Sequence, residues 1–421
     1  MAENRALMNV YETALQAVLE DKKREELRRL VEGRNKELDC LLAPHTQPVV
    51  WKMEPCECDP DEQNHCAAQC SYEAMIPNQE GGIIIDADKC VGCTDCIDRC
   101  TRDKLSASKD TFAVIEMLQE KREHPDQLVY ALVAPAFQGQ FSAAVTDGKL
   151  RSAFLTAGFD GMIECALFAD ILTLKEALEF DEKVQDEQSF MLTSCCCPLW
   201  IGLIQRHFHE FMDRVPGSVS PMIAAGRTVK KLHPEAKTVF IGPCLAKKKE
   251  AREPDLAGAI DAVLTFQETQ QIFDALQIDV ANLPEDEQDH ASRAGRRYAR
   301  IGGVCEAVAE TVRKVSPGSK VVMRTEHADG NKECRAMLSR LAEGDRSANF
   351  YEGMHCKGGC VGGPKRIIPP DIGTENVDRF ADEAKFKTPA DNPYVLELLN
   401  RLHMDSIEDL LRSDIFVRKF N

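Results

Sequence analysis

The chain has 421 residues, 43% of them hydrophobic and 29% charged, with 69 acidic against 52 basic side chains and a formal charge of -17. That length suits two or three domains with a sizeable core. No uninterrupted apolar stretch approaches the roughly 20 residues that span a bilayer, and the acidic balance repels a phosphate backbone, so neither a membrane nor nucleic acid is expected as a partner.

Residues 1–45 read as an N-terminal helical segment, with Leu7, Val10, Tyr11, Leu15, Val18 and Leu19 at helical spacing. This start is charged and has no apolar signal core, so a cytoplasmic protein is expected. In that compartment 18 cysteines argue for metal ligation or redox chemistry over a disulfide framework.

Around Pro44, Pro48 and Pro55 the chain changes character, and residues 46–105 read as a compact ferredoxin-like domain. Cys90, Cys93, Cys96 and Cys100 have the C-x2-C-x2-C-x3-C spacing of a bacterial ferredoxin run, in which three close thiolates wrap one [4Fe-4S] cube and the fourth often serves its neighbour. A structural zinc site usually has two separated pairs instead. One departure is Thr101, where such runs usually carry proline. Upstream, Cys56, Cys58, Cys66 and Cys70 form a less usual C-x-C-x7-C-x3-C set, for which zinc is the alternative to a second cube. The ferredoxin swap predicts one cube on Cys56, Cys58, Cys66 and Cys100 and another on Cys90, Cys93, Cys96 and Cys70. Two such cubes in series would carry electrons between the surface and a buried centre.

Residues 106–127 read as a polar, partly helical connector, and 128–421 as the largest domain. Apolar runs at 129–133, 189–192, 238–241, 262–265 and 320–323 predict buried strands. Helical patterns at 169–181, 199–212, 221–232, 267–276, 304–314 and 331–342 separate them, and a weaker strand is expected near Phe350 and Tyr351. The alternation predicts an α/β fold with parallel sheets, whose ligands gather at the carboxyl ends of strands.

Three cysteine motifs stand out in this region: Thr193-Ser194-Cys195-Cys196-Cys197-Pro198-Leu199-Trp200, Pro243-Cys244-Leu245-Ala246-Lys247 and Met354-His355-Cys356-Lys357-Gly358-Gly359-Cys360. Thiols set beside proline or glycine in three separate places suggest loops converging on one soft metal centre. Adjacent cysteines seldom serve one iron equally well, so a neighbour is left for other work.

These motifs resemble the signature of the iron-iron hydrogenases, over about residues 129–411, and the triple cysteine is similar to the group B enzymes. The resemblance implies two parallel-sheet α/β lobes enclosing an active-site cluster, with 128–421 as the catalytic domain. It further implies an H-cluster, a [4Fe-4S] cube joined through a cysteine to a di-iron unit carrying CO, cyanide and azadithiolate, besides the two accessory [4Fe-4S] clusters. Cys197, Cys244, Cys356 and Cys360 would then hold the cube, Cys360 as the bridge, and Cys196 would be the free thiol that relays protons. Counting from Thr193 and Ser194 instead gives Cys195 the relay and Cys196 the ligand role; counting from Cys-Pro-x-Trp is favoured.

By the same resemblance Glu176 and Glu179 continue the proton route, and their spacing puts them on one helix face. Pro216 stands where relatives place a serine between those carboxylates; Ser218 or a bound water is the substitute expected. Lys247 would donate to a cyanide ligand, its alternative being a surface position in the run Lys247-Lys248-Lys249. Met354 and Pro135 would line the cofactor pocket. Gly242 lies where many relatives have a second methionine, Ala136 where some have a serine, and Cys305 where methionine is common. Cys40, Cys165 and Cys334 are expected to be structural, and no histidine is expected to ligate metal. Arg293, Arg296, Arg297 and Arg300 read as a solvated face, with docking of an acidic ferredoxin as the alternative. The implied partners are H2 and protons, a ferredoxin-type electron carrier and the maturation enzymes that build the di-iron unit. The rival readings are a hydrogen sensor and a non-catalytic iron-sulfur carrier or assembly protein similar to the prelamin-recognition-factor relatives.

Overall fold

A computed structural model describes residues 4–20, 26–27, 29, 35–46, 48–56, 58–78, 82–193 and 196–420. The cysteine-rich segment holds four short strands. β1 (Val50–Lys52) pairs antiparallel with β4 (Leu105–Ala107), and β2 (Met75–Pro77) pairs antiparallel with β3 (Ile83–Ile85). Between them run the helices Pro60–Ala68, closed by an Asp59 and Glu62 capping box, and Asp95–Arg99.

The N-terminal helix Arg5–Leu19 begins where the Asn4 side chain accepts from the Leu7 N–H, and it buries Leu7, Val10, Tyr11, Ala14, Leu15 and Val18. Its apolar face meets the helix Asn35–Leu42 and the helix Thr111–Glu123. The ring of Tyr11 stacks on Phe112 at 5.8 Å between centroids. The stretch read as a polar connector is thus a packed helix burying Phe112, Val114, Ile115 and Leu118. Much of the expected 3–38 helical pattern, including 21–25 and 30–34, lies outside the described residues.

Two parallel sheets build the remainder. Runs rich in β-branched and large apolar residues form β5 (Val129–Val133), β8 (Lys237–Gly242) and β9 (Ala262–Thr265), which with β6 (Gly161–Glu164) make a four-stranded sheet in the order β6-β5-β8-β9. β7 (Met191–Leu192), β10 (Thr325–Asp329) and β11 (Phe350–Met354) make a three-stranded sheet in the order β10-β11-β7. Helices pack on the sheets, and each sheet has its own apolar core. The helix Cys165–Lys183 serves both: Phe168, Ile171 and Leu172 enter one core, Ala169, Ala177 and Phe180 the other. Buried nearly all round, it fixes the two lobes against each other.

Three expectations need correction. The strand expected at 320–323 is absent: Val322 is exposed in a loop, and the strand is the polar β10 immediately after it. β10 is an edge strand with one covered neighbour, so it lacks the apolar run of an interior parallel strand. The helix expected through residue 212 ends at His207 and continues as a 3-10 turn, His209–Arg214. The arginine cluster is not an open face. Arg296 is buried against Glu164, Arg300 bonds Asp378 and Glu306, Arg297 bonds Asp382 and Glu306, and Arg293 bonds Glu310. Among the described residues no helix is long and apolar enough to cross a membrane.

Gly353 on β11 shows how tightly the smaller lobe closes. A Cβ there would lie 2.2 Å from the buried ring of Trp200. Gly353→Ala is therefore expected to cost at least about 1–3 kcal/mol by overpacking. Thermal unfolding followed by circular dichroism checks this, and an unchanged midpoint would contradict the packing.

Candidate metal centre

All three motifs of the larger domain follow the carboxyl ends of parallel strands. Cys196 and Cys197 come after β7, Cys244 directly after β8, and Cys356 directly after β11. Pro135 opens the 3-10 turn Pro135–Phe137 after β5. Strand ends in parallel sheets leave backbone free to turn inward, which is why loops from two sheets can face one centre. Cys197 then sits at the N-terminal cap of the helix Pro198–His207, whose Trp200 lies against Gly353 of the third motif's strand. The third motif returns to the second, where the Lys365 N–H donates to the Pro243 carbonyl at 2.9 Å.

The four thiols are electrostatic neighbours. Burial raises Cys356 well above its ordinary pKa, and Cys244, Cys197 and Cys360 raise it further. Burial, then Cys197, pushes Cys244 up to about 11, against the pull of Lys247. Burial, Cys197 and Cys244 push Cys360 up to about 12. Thiols that resist ionisation because they are buried and, secondarily, because they neighbour one another fit a site completed by cationic metal, which offsets both costs.

Cys196 is buried, and burial raises its pKa, followed by Cys197, Cys360, Glu176 and Glu352. It is therefore within electrostatic reach of both the motif thiols and the carboxylates. Ser194 and Cys195 lie outside the described residues. Glu176 is fully buried on the helix Cys165–Lys183, with Glu179 one turn on at its edge. Lys247 is no surface residue: its Nζ donates to Glu250 Oε2 at 2.6 Å, both side chains buried. Burial lowers the Lys247 pKa, but Glu250, Cys244 and Cys360 outweigh it and the net direction is upward, keeping the ammonium charged. Lys248 is buried too, on Glu268 at 2.9 Å, while Lys249 is the half-buried member of the run. Met354 is buried at the end of β11.

The eight cysteines between Cys56 and Cys100 line one cavity of about 510 Å³. They fall into two sets by mutual influence. After burial, Cys66 is raised by Cys58, Cys100 and Cys56, whereas Cys96 is raised by Cys90 and Cys70, and Cys93 by Asp95, Cys96 and Cys90. Backbone N–H groups of Ala74 and Lys104 donate to Cys70 and Cys100 Sγ at 3.3 and 3.4 Å, the kind of bond that tunes a cluster. Gly92, at φ +76, lets the second set approach the second motif: a Cβ there would meet Ala246 Cα at 3.2 Å.

Several site residues were not legible in linear order. Lys175 Nζ donates to Glu179 Oε1 at 2.8 Å and to Ser218 Oγ at 2.9 Å. Glu352, buried on β11, accepts from the Gly302 and Cys305 N–H groups at 2.9 Å each, and burial pushes it up to about 7. Tyr72 donates to the Leu199 carbonyl at 2.9 Å, which leaves its oxygen to accept from His355 Nδ1 at 3.0 Å. A ligand atom of His355 also lies within 4.8 Å of Cys93 Sγ and an Asp95 oxygen, so this buried histidine sits between the second cysteine set and Cys356. No spacing pattern pairs these residues in the chain.

Residues 127–364 match the family model described as "Iron only hydrogenase large subunit, C-terminal domain". Among curated proteins, the chain is 24% identical to the NADP-reducing hydrogenase subunit HndD of Solidesulfovibrio fructosivorans over 74% of this chain and 63% of that one. It is 26% identical to iron hydrogenase 1 of Clostridium pasteurianum over 59% of this chain and 50% of that one. The matches thus span between half and two thirds of these two relatives. It is 25% identical to the human nuclear prelamin A recognition factor over 76% of this chain and 85% of that one. The fold is similar to that of an [FeFe]-hydrogenase from Chlamydomonas reinhardtii, with a TM-score of 0.61 and 21% identity over 73% of this chain and 98% of that one.

Proposed function

The chain belongs to the iron only hydrogenase large subunit family through its C-terminal domain, and on that premise we propose that it is a group B-like iron-iron hydrogenase interconverting protons and electrons with H2. Cys197, Cys244, Cys356 and Cys360 would hold the cube of an H-cluster, and the two N-terminal cysteine sets would hold accessory [4Fe-4S] clusters. When bound, the di-iron unit with its CO, cyanide and azadithiolate ligands supplies the Lewis-acidic metal and the base that together split H2 heterolytically.

The protein's own residues do the rest. Cys196 holds a proton at Sγ beside the cluster thiols, and Glu176 and Glu179 extend that route along one helix toward solvent. Lys247, kept cationic by Glu250, offers N–H donors to an anionic ligand of the site. The accessory sets would hold the clusters that take electrons from a ferredoxin-type carrier, and Tyr72 and His355, hydrogen-bonded to each other, lie beside Cys356.

One observation carries the enzymatic reading: Cys196 is a buried thiol beyond the four cube ligands that lies within electrostatic reach of both Cys197 and Glu176. A cube carrier needs the ligands but not a proton-bearing thiol facing a buried carboxylate. The match to the prelamin A recognition factor, which covers 85% of that relative against 63% and 50% for the two curated hydrogenases, favours the second reading, an iron-sulfur carrier or assembly protein. Infrared spectroscopy of protein matured anaerobically with the di-iron assembly enzymes separates the two. CO and cyanide stretching bands are expected, and H2 turnover with a reduced dye should accompany them. Their absence after full maturation would leave the carrier reading.

A further inference from the structure

Lys175 is one of the largest fully buried side chains in the protein, at 0% exposure. Taking an ammonium out of water costs several kcal/mol after relaxation, and a methionine of similar length would fill the same space without that cost. The charge is compensated at two points. Nζ donates to Glu179 Oε1 at 2.8 Å one turn along the same helix, and to the buried Ser218 hydroxyl at 2.9 Å across the chain.

Ser218 belongs to the turn Pro216-Gly217-Ser218, where the Ser218 N–H donates to the Pro216 carbonyl at 2.7 Å, and it bridges to Val417 near the C-terminus. Lys175 therefore ties the helix, this turn and the C-terminal segment to one point. It also makes the two oxygens of Glu179 unequal. Oε1 takes the Lys175 bond and faces Lys183 Nζ at 4.0 Å, whereas Oε2 is buried and accepts no hydrogen bond among the described residues. A carboxylate pinned by one oxygen keeps the other in a fixed direction, ready for a proton delivered by water.

We propose that Lys175 is a positioning residue of the proton route, pinning Glu179 Oε1 and the Ser218 hydroxyl so that Glu179 Oε2 stands as the proton-accepting atom where Pro216 offers no hydroxyl. The inference rests on the hydrogenase reading above, and it concerns orientation alone.

The test uses the full chain, first with its iron-sulfur clusters alone and then after maturation. The Glu179 carboxyl band in infrared difference spectra is assigned by its loss in Glu179→Gln. In Lys175→Met that band is expected to shift before and after maturation, and H2 turnover to fall about 100-fold with a raised solvent isotope effect, while the CO and cyanide bands stay in place. Lys175→Arg should recover most of the turnover. Ser218→Ala, which leaves the Lys175 to Glu179 bond, should shift the band less in the same direction, and it serves if Lys175→Met does not fold. A band unmoved in both variants overturns the inference, as does a shifted band with turnover and isotope effect like the parent. Failure of the hydrogenase reading would look different: the parent protein itself would lack CO and cyanide bands.

Discussion

Replacing Cys196 by alanine is expected to lower H2 turnover by about 10²–10⁴-fold, the range typical of losing a positioned acid-base group. The thiol lies within reach of Cys197 and Cys360 on one side and Glu176 on the other, and burial holds its pKa well above the ordinary value. It is thus a protonated group in a water-poor place, able to carry a proton but slow to lose it unless a partner accepts it. On the proposed assignment, alanine removes the proton carrier and leaves Cys197, Cys244, Cys356 and Cys360 in place. Infrared bands of the matured cluster and the unfolding midpoint should therefore match the parent, and dye-coupled turnover should not. Serine at the same position keeps a proton on a weaker acid and should restore little. If Cys196→Ala turned over at the parent rate while Cys195→Ala lost activity, the relay would belong to Cys195.

Asp170→Ala is expected to destabilise the protein by about 3–5 kcal/mol, because it strands several buried donors at once. One oxygen of Asp170 accepts from the Ser292 hydroxyl at 2.5 Å and the Gly295 N–H at 2.9 Å; the other accepts from the Ser292 N–H at 2.7 Å and Asn392 Nδ2 at 3.1 Å. The carboxyl thus joins the helix shared by both lobes to the segment before Arg296 and to Asn392, the N-terminal cap of the helix Pro393–Arg401. Burial pushes its pKa up to about 6, only partly offset by the bonds from Ser292, Asn392 and Gly295. A folded value above the unfolded one, about 3.9, means the native state binds this proton more tightly. Its contribution to stability is then complete below about pH 3.9 and is lost as pH rises through about 6, on the order of 3 kcal/mol in all. Asp170→Asn should flatten this dependence. Urea unfolding between pH 4 and 7, under anaerobic conditions, reads both effects. Parallel pH profiles for the parent and Asp170→Asn would contradict the assignment.

How much was legible beforehand depended on distance along the chain. The strands β5, β8 and β9 are apolar runs whose burial on both faces shows in their own residues, and they stand where the sequence predicts. β10 is an edge, its polar residues carry no such mark, and the apolar Val321 and Val322 beside it mislead. The two cysteine runs are legible because their members recur at short intervals along the chain. The arginines at 293–300 read as a basic face because their acidic partners, Glu164 and Asp378 among them, come from other segments.

By itself the sequence determined the class of fold and the three cysteine motifs, since strand runs and motif spacings are written in residues that are near one another in the chain. Only the tertiary structure decided what surrounds them. His355 meets Tyr72 across 283 residues, Asp170 meets Asn392 across 222, and Lys175 reaches Ser218 across 43. A buried polar group must find its partner in space, wherever the chain happens to supply one. Hydrophobic spacing records which face is covered and does not record what covers it, so the groups that orient and tune the site appear only when the two lobes close around it.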